Sequence, residues 1–399
     1  LEQRKVIWNL LIGRILTNIG DSLIYISVLW YFNSRYQSPL FLTLVFIITS
    51  GVDALSFLIG PILDRWQTQS VLLTATISQV IISSALVIGL ALHLSPTILA
   101  IFLLIFLLLS TISSALIYPT EDKLLPLLTK KDDLLRVNGL FQMSYQVLDL
   151  VLNGLILGMI AYLSINTTLV LAVPVFGIAF IVFRSLNFRT PTLSTTKENS
   201  HYFHSLKIGW STLIQHPFML KALFTFSISN FFYGAADTAL PRLAREYLSS
   251  KALGYGALLT GIGIGSFLGT LLVQQLSLTG AKLIKFSGVC MLLGGLGRLL
   301  LLLRYPWIII LFISLNAFWI SMMNINFMAF VQSEFSPTVL GRISTINESL
   351  ISLMIPFGSA IGGLLIAHFN VLIPQILYAL VTIAGGIYFV TCLLKSIKS

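Results

Sequence analysis

The chain has 399 residues, 56% of them hydrophobic and only 10% charged, with a mean hydropathy of +0.94. A soluble domain carries roughly 25% charged residues, so a soluble enzyme, a nucleic-acid module and a disordered scaffold are all poor readings of this composition. The net charge of +10 does not restore a nucleic-acid role, because the 24 Lys and Arg are scattered between long apolar runs, and a membrane protein places such residues on cytoplasmic loops and against the anionic leaflet.

A membrane-crossing helix needs about 20 mostly apolar residues. Taken in chain order, twelve stretches qualify: 8–32, 40–62, 70–92, 96–117, 138–163, 166–187, 217–240, 252–276, 282–303, 306–330, 341–367 and 371–394. They are too long and too uniformly apolar for the ten-residue alternation of an outer-membrane barrel. The expected fold is therefore an all-α integral membrane protein of twelve transmembrane helices. The first stretch begins at Trp8, and no cleavable signal peptide is expected ahead of it. The two cysteines, Cys290 and Cys392, each lie in an apolar run, which leaves neither a disulfide framework nor a cysteine zinc site.

One long polar stretch, 188–216, separates the sixth and seventh spans. It divides the chain into 1–187, a linker at 188–216 and 217–399, six helices on each side. Its Ser, Thr and Pro content reads as a surface linker, with room for a short amphipathic helix around Tyr202–Leu213. His201, His204 and His216 there are too loosely spaced for a metal site. With both termini cytoplasmic, the inner segments collect 17 Lys and Arg, among them Arg65, Lys123, Lys130, Lys131, Arg136, Lys221, Lys282, Lys285 and Arg342, while the outer loops hold only Arg35, Arg242, Arg245, Lys251 and Arg304. That asymmetry favours both ends inside, in a multi-pass protein of the inner (plasma) membrane.

Ionisable groups inside spans are costly, so each is a functional candidate. Their spacing adds to this. Arg14, Asn18, Asp21 and Tyr25 share one face of the first helix. Ser50 and Asp53 follow the same rhythm on the second. Asn138, Gln142, Gln146, Asp149 and Asn153 make a stripe along the fifth, Ser227, Asn230, Gly234 and Asp237 along the seventh, and Thr345, Glu348, Ser352 and Ser359 along the eleventh. Five polar stripes on otherwise apolar helices predict a shared water-filled cavity. A carboxylate that binds either a proton or a cationic substrate couples the two by competition, and the candidates are Asp21, Asp149, Asp53, Glu348 and Asp237. Asp21 and Asp149, nearest mid-span, rank first; a structural ion pair or a hydrated interfacial group is the alternative for each. Arg14 either pairs with Asp21 or snorkels to the cytoplasmic interface, and Arg298 is expected to snorkel outward beside Arg304. The closely spaced glycines of GIGIGSFLG, 261–269, lie inside an apolar span with no preceding strand and no following Lys-Ser or Lys-Thr. They predict close helix contact at Gly265 and Gly269, not a phosphate loop.

The loop after the second span reads GPILDRWQTQS, from Gly60 to Ser70. It resembles the signature loop of the major facilitator superfamily, with Gly60, Asp64 and Arg65 in place and Gln67, Thr68 and Gln69 where that family has a further glycine and basic residues. LLPLLTKKDDLLRVNGL (124–140), TALPRLAREYL with the glycine-rich helix after it, and FVQSEFSPTVLGRISTINESL (330–350) are similar to the macrolide-efflux and enterobactin-exporter branch, with Pro337, Gly341 and Arg342 matching. Gly154 and Gly158, and Pro356 with Gly358, Gly362 and Gly363, resemble the glycine-rich bend of the family's antiporters, although Leu155, Ile156 and Leu157 stand where the fifth-helix copy has proline. The resemblance implies two six-helix bundles around a central cavity. It implies a cytoplasmic gate at Gly60, Asp64, Arg65, Gly341 and Arg342, and a cavity lined from helices 1, 2, 5, 7 and 11, where Asn18, Tyr25, Ser50, Gln142, Gln146, Asn153 and Asn230 stand.

The expected function is secondary active transport, namely proton-coupled efflux of small amphipathic molecules by alternating access. A lysophospholipid flippase, a siderophore or metal exporter and a nutrient importer of the same fold are the alternatives. A polytopic enzyme would need clustered His, Asp or Ser motifs at a membrane face. No cofactor, catalytic group or resident metal is expected, and the partners are protons, cargo and the lipid bilayer, with a monomer as the working unit.

Overall fold

The computed structural model describes residues 2–36, 38–55, 67–92, 95–128, 131–186, 210–211, 213–248, 252–273, 275–276, 281–334 and 337–393. All regular structure among these residues is helical. In chain order the helices are α1 Glu2–Arg35, α2 Leu40–Leu55, α3 Thr68–Ala91, α4 Pro96–Leu128, α5 Lys131–Tyr162, α6 Ile165–Val170, α7 Ala172–Arg184, α8 Pro217–Tyr247, α9 Ala252–Val273, α10 Ala281–Leu299, α11 Pro306–Glu334, α12 Pro337–His368 and α13 Leu372–Tyr388. A 3-10 turn, Leu300–Leu303, extends α10, and a π turn, Phe389–Leu393, extends α13.

Nine helical stretches among the described residues are long and apolar enough to cross a bilayer. They are α1, α3, the first part of α4, α6 with α7, α9, α10 with its 3-10 turn, α11, the second half of α12 and α13. The other expected spans coincide with α2, described as far as Leu55, with α5, whose apolar part is Val151–Tyr162, and with α8, whose apolar sequence is interrupted by polar residues. In α8 the cause lies in the sequence: a helix that carries a polar stripe has fewer positions left for lipid-facing side chains.

The chain divides into two compact units, Leu1–Gln37 with Leu55–Lys197, and Ser38–Ala54 with Glu198–Ser399. In the first, Leu10, Leu72, Ile117, Phe141 and Phe183 form the buried core. The Phe183 and Phe176 rings of α7 lie against Gly13 and Gly20 of α1, where any side chain would collide with them. Those glycines set the spacing of α1 on α7. In the second unit, Met219, Phe226, Met291, Met323 and Phe389 are packed together, with the Phe226 and Phe327 rings edge to face at 4.4 Å between centroids.

Helix contact in the second unit runs through small residues, as it must where lipid removes any hydrophobic drive for association. A methyl built on Gly265 or Gly269 of α9 would meet the carbonyl oxygens of Ser314 and Phe318 on α11. Thr270 and Ser321 are hydrogen-bonded at 2.9 Å across the same seam. The GxxxG reading of this segment is therefore matched by backbone contact. Gly358 and Gly362 of α12 lie in the same way on Phe231 and Ala235 of α8. Asn230 Nδ2 donates to the Ile351 carbonyl (3.4 Å) and Ser359 Oγ to the Gly234 carbonyl (3.3 Å). α2 belongs to this unit, with the Thr43 side chain against Gly363.

Candidate functional site

The first unit holds a polar cluster built from three helices. Asn18 and Asp21 lie on one face of α1, Gln79 projects from α3, and Ser110, Ser114 and Tyr118 recur every four residues on α4. Gln79 is fully buried, Ser110 and Asn18 are buried, and Asp21, Ser114 and Tyr118 are half-buried. The cluster thus runs from the packed interior to an accessible edge.

Its hydrogen bonds converge on the Asp21 carboxyl. Gln79 Nε2 donates to Asp21 Oδ1 (2.9 Å), and Ser114 Oγ donates to the same oxygen (2.5 Å). Tyr118 OH faces Oδ2 at 3.5 Å, and Asn18 Nδ2 donates to the Tyr118 oxygen at 3.3 Å. Gln79 is fixed in turn. Its Nε2 lies 3.0 Å from the Ser110 carbonyl and 2.8 Å from Ser114 Oγ, while Ser110 Oγ donates to its Oε1 at 2.9 Å. Every donor to Asp21 among the described residues is neutral. A guanidinium partner would hold the group as a fixed anion; amide and hydroxyl donors leave it able to take or release a proton. Arg14 stands two turns before Asp21 on α1, with its guanidinium over two rings, 5.3 Å from the Tyr118 centroid and 5.6 Å from that of Phe141.

The second unit has a cluster of opposite sign. Arg298, expected to snorkel outward, is 4% exposed. Its Nε and Nη2 donate to Gln375 Oε1 at 3.0 and 2.6 Å, and its Nη1 donates to Asn316 Oδ1 at 2.7 Å. The guanidinium stacks 4.7 Å from the Tyr378 ring centroid. Asn316 Nδ2 and Gln375 Nε2 then donate to the carbonyls of Gly294 (3.0 Å) and Ala236 (2.7 Å). Asp237, half-buried on α8, is the acidic group whose charge acts on this arginine. Five donors in a planar fork need acceptors on several sides, and two amides and a ring face supply them here. Stem length alone lets an arginine snorkel; these partners hold this one in.

The remaining expected positions are dispersed or fall outside the description. Asp53 is exposed on α2, and Ser50 Oγ donates to the Phe46 carbonyl of its own helix. Tyr25 and Asn153 are half-buried on α1 and α5. The side chains of Gln142, Gln146 and Asp149 on α5, and of Arg342 and Glu348 on α12, lie outside the described residues, as do Gly341 beyond its helical backbone and Gly60, Asp64 and Arg65 entirely. Gly158 has nothing within 4 Å of where a Cβ would stand, so close packing does not explain it. Gln79, Ser110, Ser114, Tyr118, Asn316 and Gln375 were not among the expected site residues. The four-residue recurrence of Ser110, Ser114 and Tyr118, and a Gln inside each of two apolar spans, were the available signals. Among the described residues no group of three or more His, Cys, Asp or Glu could hold a metal ion.

The fold is similar to that of known transporters. A crystal structure of the nucleoside transporter NupG aligns with a TM-score of 0.71 at 13% identity, covering 96% of this chain and 98% of the other. A POT family transporter in complex with 5-aminolevulinic acid aligns with a TM-score of 0.72 at 13% identity, covering 98% and 96%. The peptide transporter POT in complex with sulfate gives 0.71 at 12%, covering 96% and 93%. No curated protein matches the chain in sequence. The family model of the Major Facilitator Superfamily matches residues 10–358. With its run of apolar helices and transporter fold, the chain is a multi-pass membrane transporter, not an enzyme, and it belongs to the Major Facilitator Superfamily.

Proposed function

We propose that the protein is a proton-coupled secondary transporter that exports small amphipathic molecules from the cytoplasm by alternating access, with Asp21 as its leading coupling carboxylate. The observation that carries this reading is the Asp21 site itself: a half-buried carboxyl held by Gln79, Ser114 and Tyr118, all neutral. Such a group exchanges a proton without first breaking an ion pair, and its neutral partners can turn between donating to the anion and accepting from the acid. Asp149 is the second candidate, with Asp53, Glu348 and Asp237 behind it. Several carboxylates within the spans, with few basic partners, favour a cationic or neutral amphiphile as cargo, in keeping with the resemblance to the macrolide-efflux and enterobactin-exporter branch.

The architecture that goes with this function is twelve spans in two six-helix bundles, 1–187 and 217–399, joined by a cytoplasmic linker at 188–216, with α2 the span of the first half whose contacts group it with the second. Both termini face the cytoplasm from the inner membrane, and a single copy is the transporting unit. Gly60, Asp64, Arg65, Gly341 and Arg342 close the inner gate. The nucleoside and peptide transporters of similar fold support secondary transport and say nothing of this cargo.

The test is uptake into proteoliposomes of a fluorescent cationic dye and, separately, of a labelled lysophospholipid, each with and without a pH gradient. Gradient-dependent movement of the dye is expected. Transport of the lipid alone would overturn the drug-efflux reading, and dye transport indifferent to the gradient would overturn the coupling.

A further inference from the structure

Away from the two polar clusters, the second unit carries a groove of about 580 Å3 between α8 and α13. Leu220, Phe224, Thr225 and Ile228 form one wall, and Val381, Ala384, Gly385 and Tyr388 form the other. The helices run antiparallel here: Thr225 packs on Gly385 near one end, and Gln375 reaches the Ala236 carbonyl toward the other. On the α13 side the exposed Ala384 leaves the wall without a bulky side chain. Met291 and the Thr225 methyl already touch the position a Gly385 side chain would take, and Phe224 stands 68% exposed at the rim.

One charge enters this lining, the exposed Lys221. It sits in the second turn of α8, at the same end as Tyr388. The N-terminus of α8, which begins at Pro217, lies at that end too, and its helix dipole adds to the positive potential. The site is thus an apolar trough about two turns long, closed at its membrane-surface end by an ammonium and a phenol. In a bilayer the apolar walls make no choice among lipids, since acyl tails are as apolar as the walls are. Any choice comes from the charged end.

We propose that this groove is a binding site for an anionic phospholipid, with an acyl chain lying between α8 and α13 and the phosphate paired with Lys221. The leaflet is the one at which α8 begins, the cytoplasmic leaflet in the orientation given above. The occupant follows from charge complementarity. A cationic amphiphile would meet a like charge at the mouth, and a zwitterionic lipid would bring its own ammonium against Lys221. A single basic residue near the surface gives about a fivefold preference for an anionic headgroup.

The experiment uses the full chain, purified in the presence of equal amounts of phosphatidylglycerol and phosphatidylcholine, with the retained lipids read by native mass spectrometry. The wild type is expected to retain phosphatidylglycerol about fivefold over phosphatidylcholine. Lys221→Gln should bring the ratio to about one, and Ala384→Leu, which fills the trough, should lower retention of both lipids. Lys285→Gln removes another exposed lysine, from α10 and outside the groove, and should leave the ratio unchanged. Gel filtration and helical content confirm the fold of each variant. Equal retention of the two lipids by the wild type would overturn the proposal. So would an undiminished preference in Lys221→Gln, or a loss in Lys285→Gln as large as that in Lys221→Gln, which would mark a diffuse surface charge and no site.

Discussion

Replacing Asp21 by Asn separates what the carboxyl does for the structure from what it does for transport. The substitution keeps the shape. An Asn Oδ1 placed where Asp21 Oδ1 stands still accepts from Gln79 at 2.9 Å and from Ser114 at 2.5 Å, and the new amide faces a Tyr118 hydroxyl 3.5 Å away that can turn to accept. Two hydrogen bonds change from charge-assisted, worth about 1.5–3 kcal/mol each, to neutral, worth about 0.5–1.5. The loss, about 2 kcal/mol, is offset in part because no charge is then kept from water. Asp21→Leu instead removes both charge-assisted bonds outright, at about 1.5–3 kcal/mol each, and leaves the Gln79 amide only the Ser110 carbonyl and Ser114 Oγ, and the Ser114 hydroxyl only the Ser110 carbonyl 3.1 Å away. Thermal unfolding in detergent should therefore place Asp21→Asn close to wild type and Asp21→Leu well below it. In proteoliposomes with an imposed pH gradient, Asp21→Asn should lose at least about tenfold in accumulation, the scale of a coupling contribution of 1.4 kcal/mol or more, while downhill exchange persists. Full gradient-driven accumulation in Asp21→Asn/Asp149→Asn would refute the assignment and move it to Asp53 or Glu348. An Asp21→Asn variant as unstable as Asp21→Leu would show that the carboxyl is structural.

Arg298→Met should cost about 3–5 kcal/mol, because it strips the donors from Gln375 and Asn316 and leaves Asp237 without its countercharge; adding Asp237→Asn should recover part of the melting temperature, and a single variant that melts with wild type would refute the buried-cation account. Gly265→Leu should destabilise by about 1–3 kcal/mol by forcing α9 off α11, whereas Gly158→Ala, with open space at its Cβ, should melt at or slightly above the wild-type temperature. Asp64→Asn should slow turnover and shift the balance of inward- and outward-facing states; unchanged values of both would reduce Asp64 to a helix cap. A cysteine introduced at Thr196 should react with a membrane-impermeant reagent only after the cells are opened, and labelling of intact cells would reverse the proposed orientation.

Apolar run length made the helices legible, because twenty lipid-facing residues leave a composition no loop imitates. The glycine contacts of α9 were legible for a related reason, since Gly265 and Gly269 lie four residues apart on one face. The Asp21 cluster was legible by half. Asn18 and Asp21 share a stripe on α1, but their partners come from α3 and α4, whose mean hydropathy hides single polar residues. Gln79 is the clearest case: one amide in an apolar helix has no periodicity to betray it, yet it joins Asp21 to Ser110 and Ser114. Arg298 was misjudged because a helix-end arginine has two outlets, solvent and buried acceptors. The deciding acceptors, Asn316 and Gln375, come from other helices, 18 and 77 residues further along the chain.

The two clusters divide the chemistry between the units. Each buries a charged side chain among neutral amides, but the two charges differ in what they can do. Arginine keeps its proton at any working pH, so the Arg298 site can change charge only through Asp237, and its hydrogen bonds to Gln375 and Asn316 tie α10 to α13 and α11 whatever the proton gradient does. Asp21 can change charge where it stands. Protonation turns one of its oxygens from acceptor to donor and obliges Ser114 or Tyr118 to rotate, and both hydroxyls ride on α4 four residues apart. On the proposed coupling, a proton arriving at Asp21 acts first on the fit between α1 and α4, and the arginine cluster of the other unit keeps its arrangement. A transport cycle in which one unit senses the proton and the other holds a fixed internal frame requires that Asp21→Asn abolish coupling and spare stability. It also requires that Arg298→Met lower stability at every pH by the same amount, provided Asp237 stays ionised over that range. A stability loss in Arg298→Met that vanishes at low pH would place the titrating group at Asp237 and assign proton sensing to the second unit.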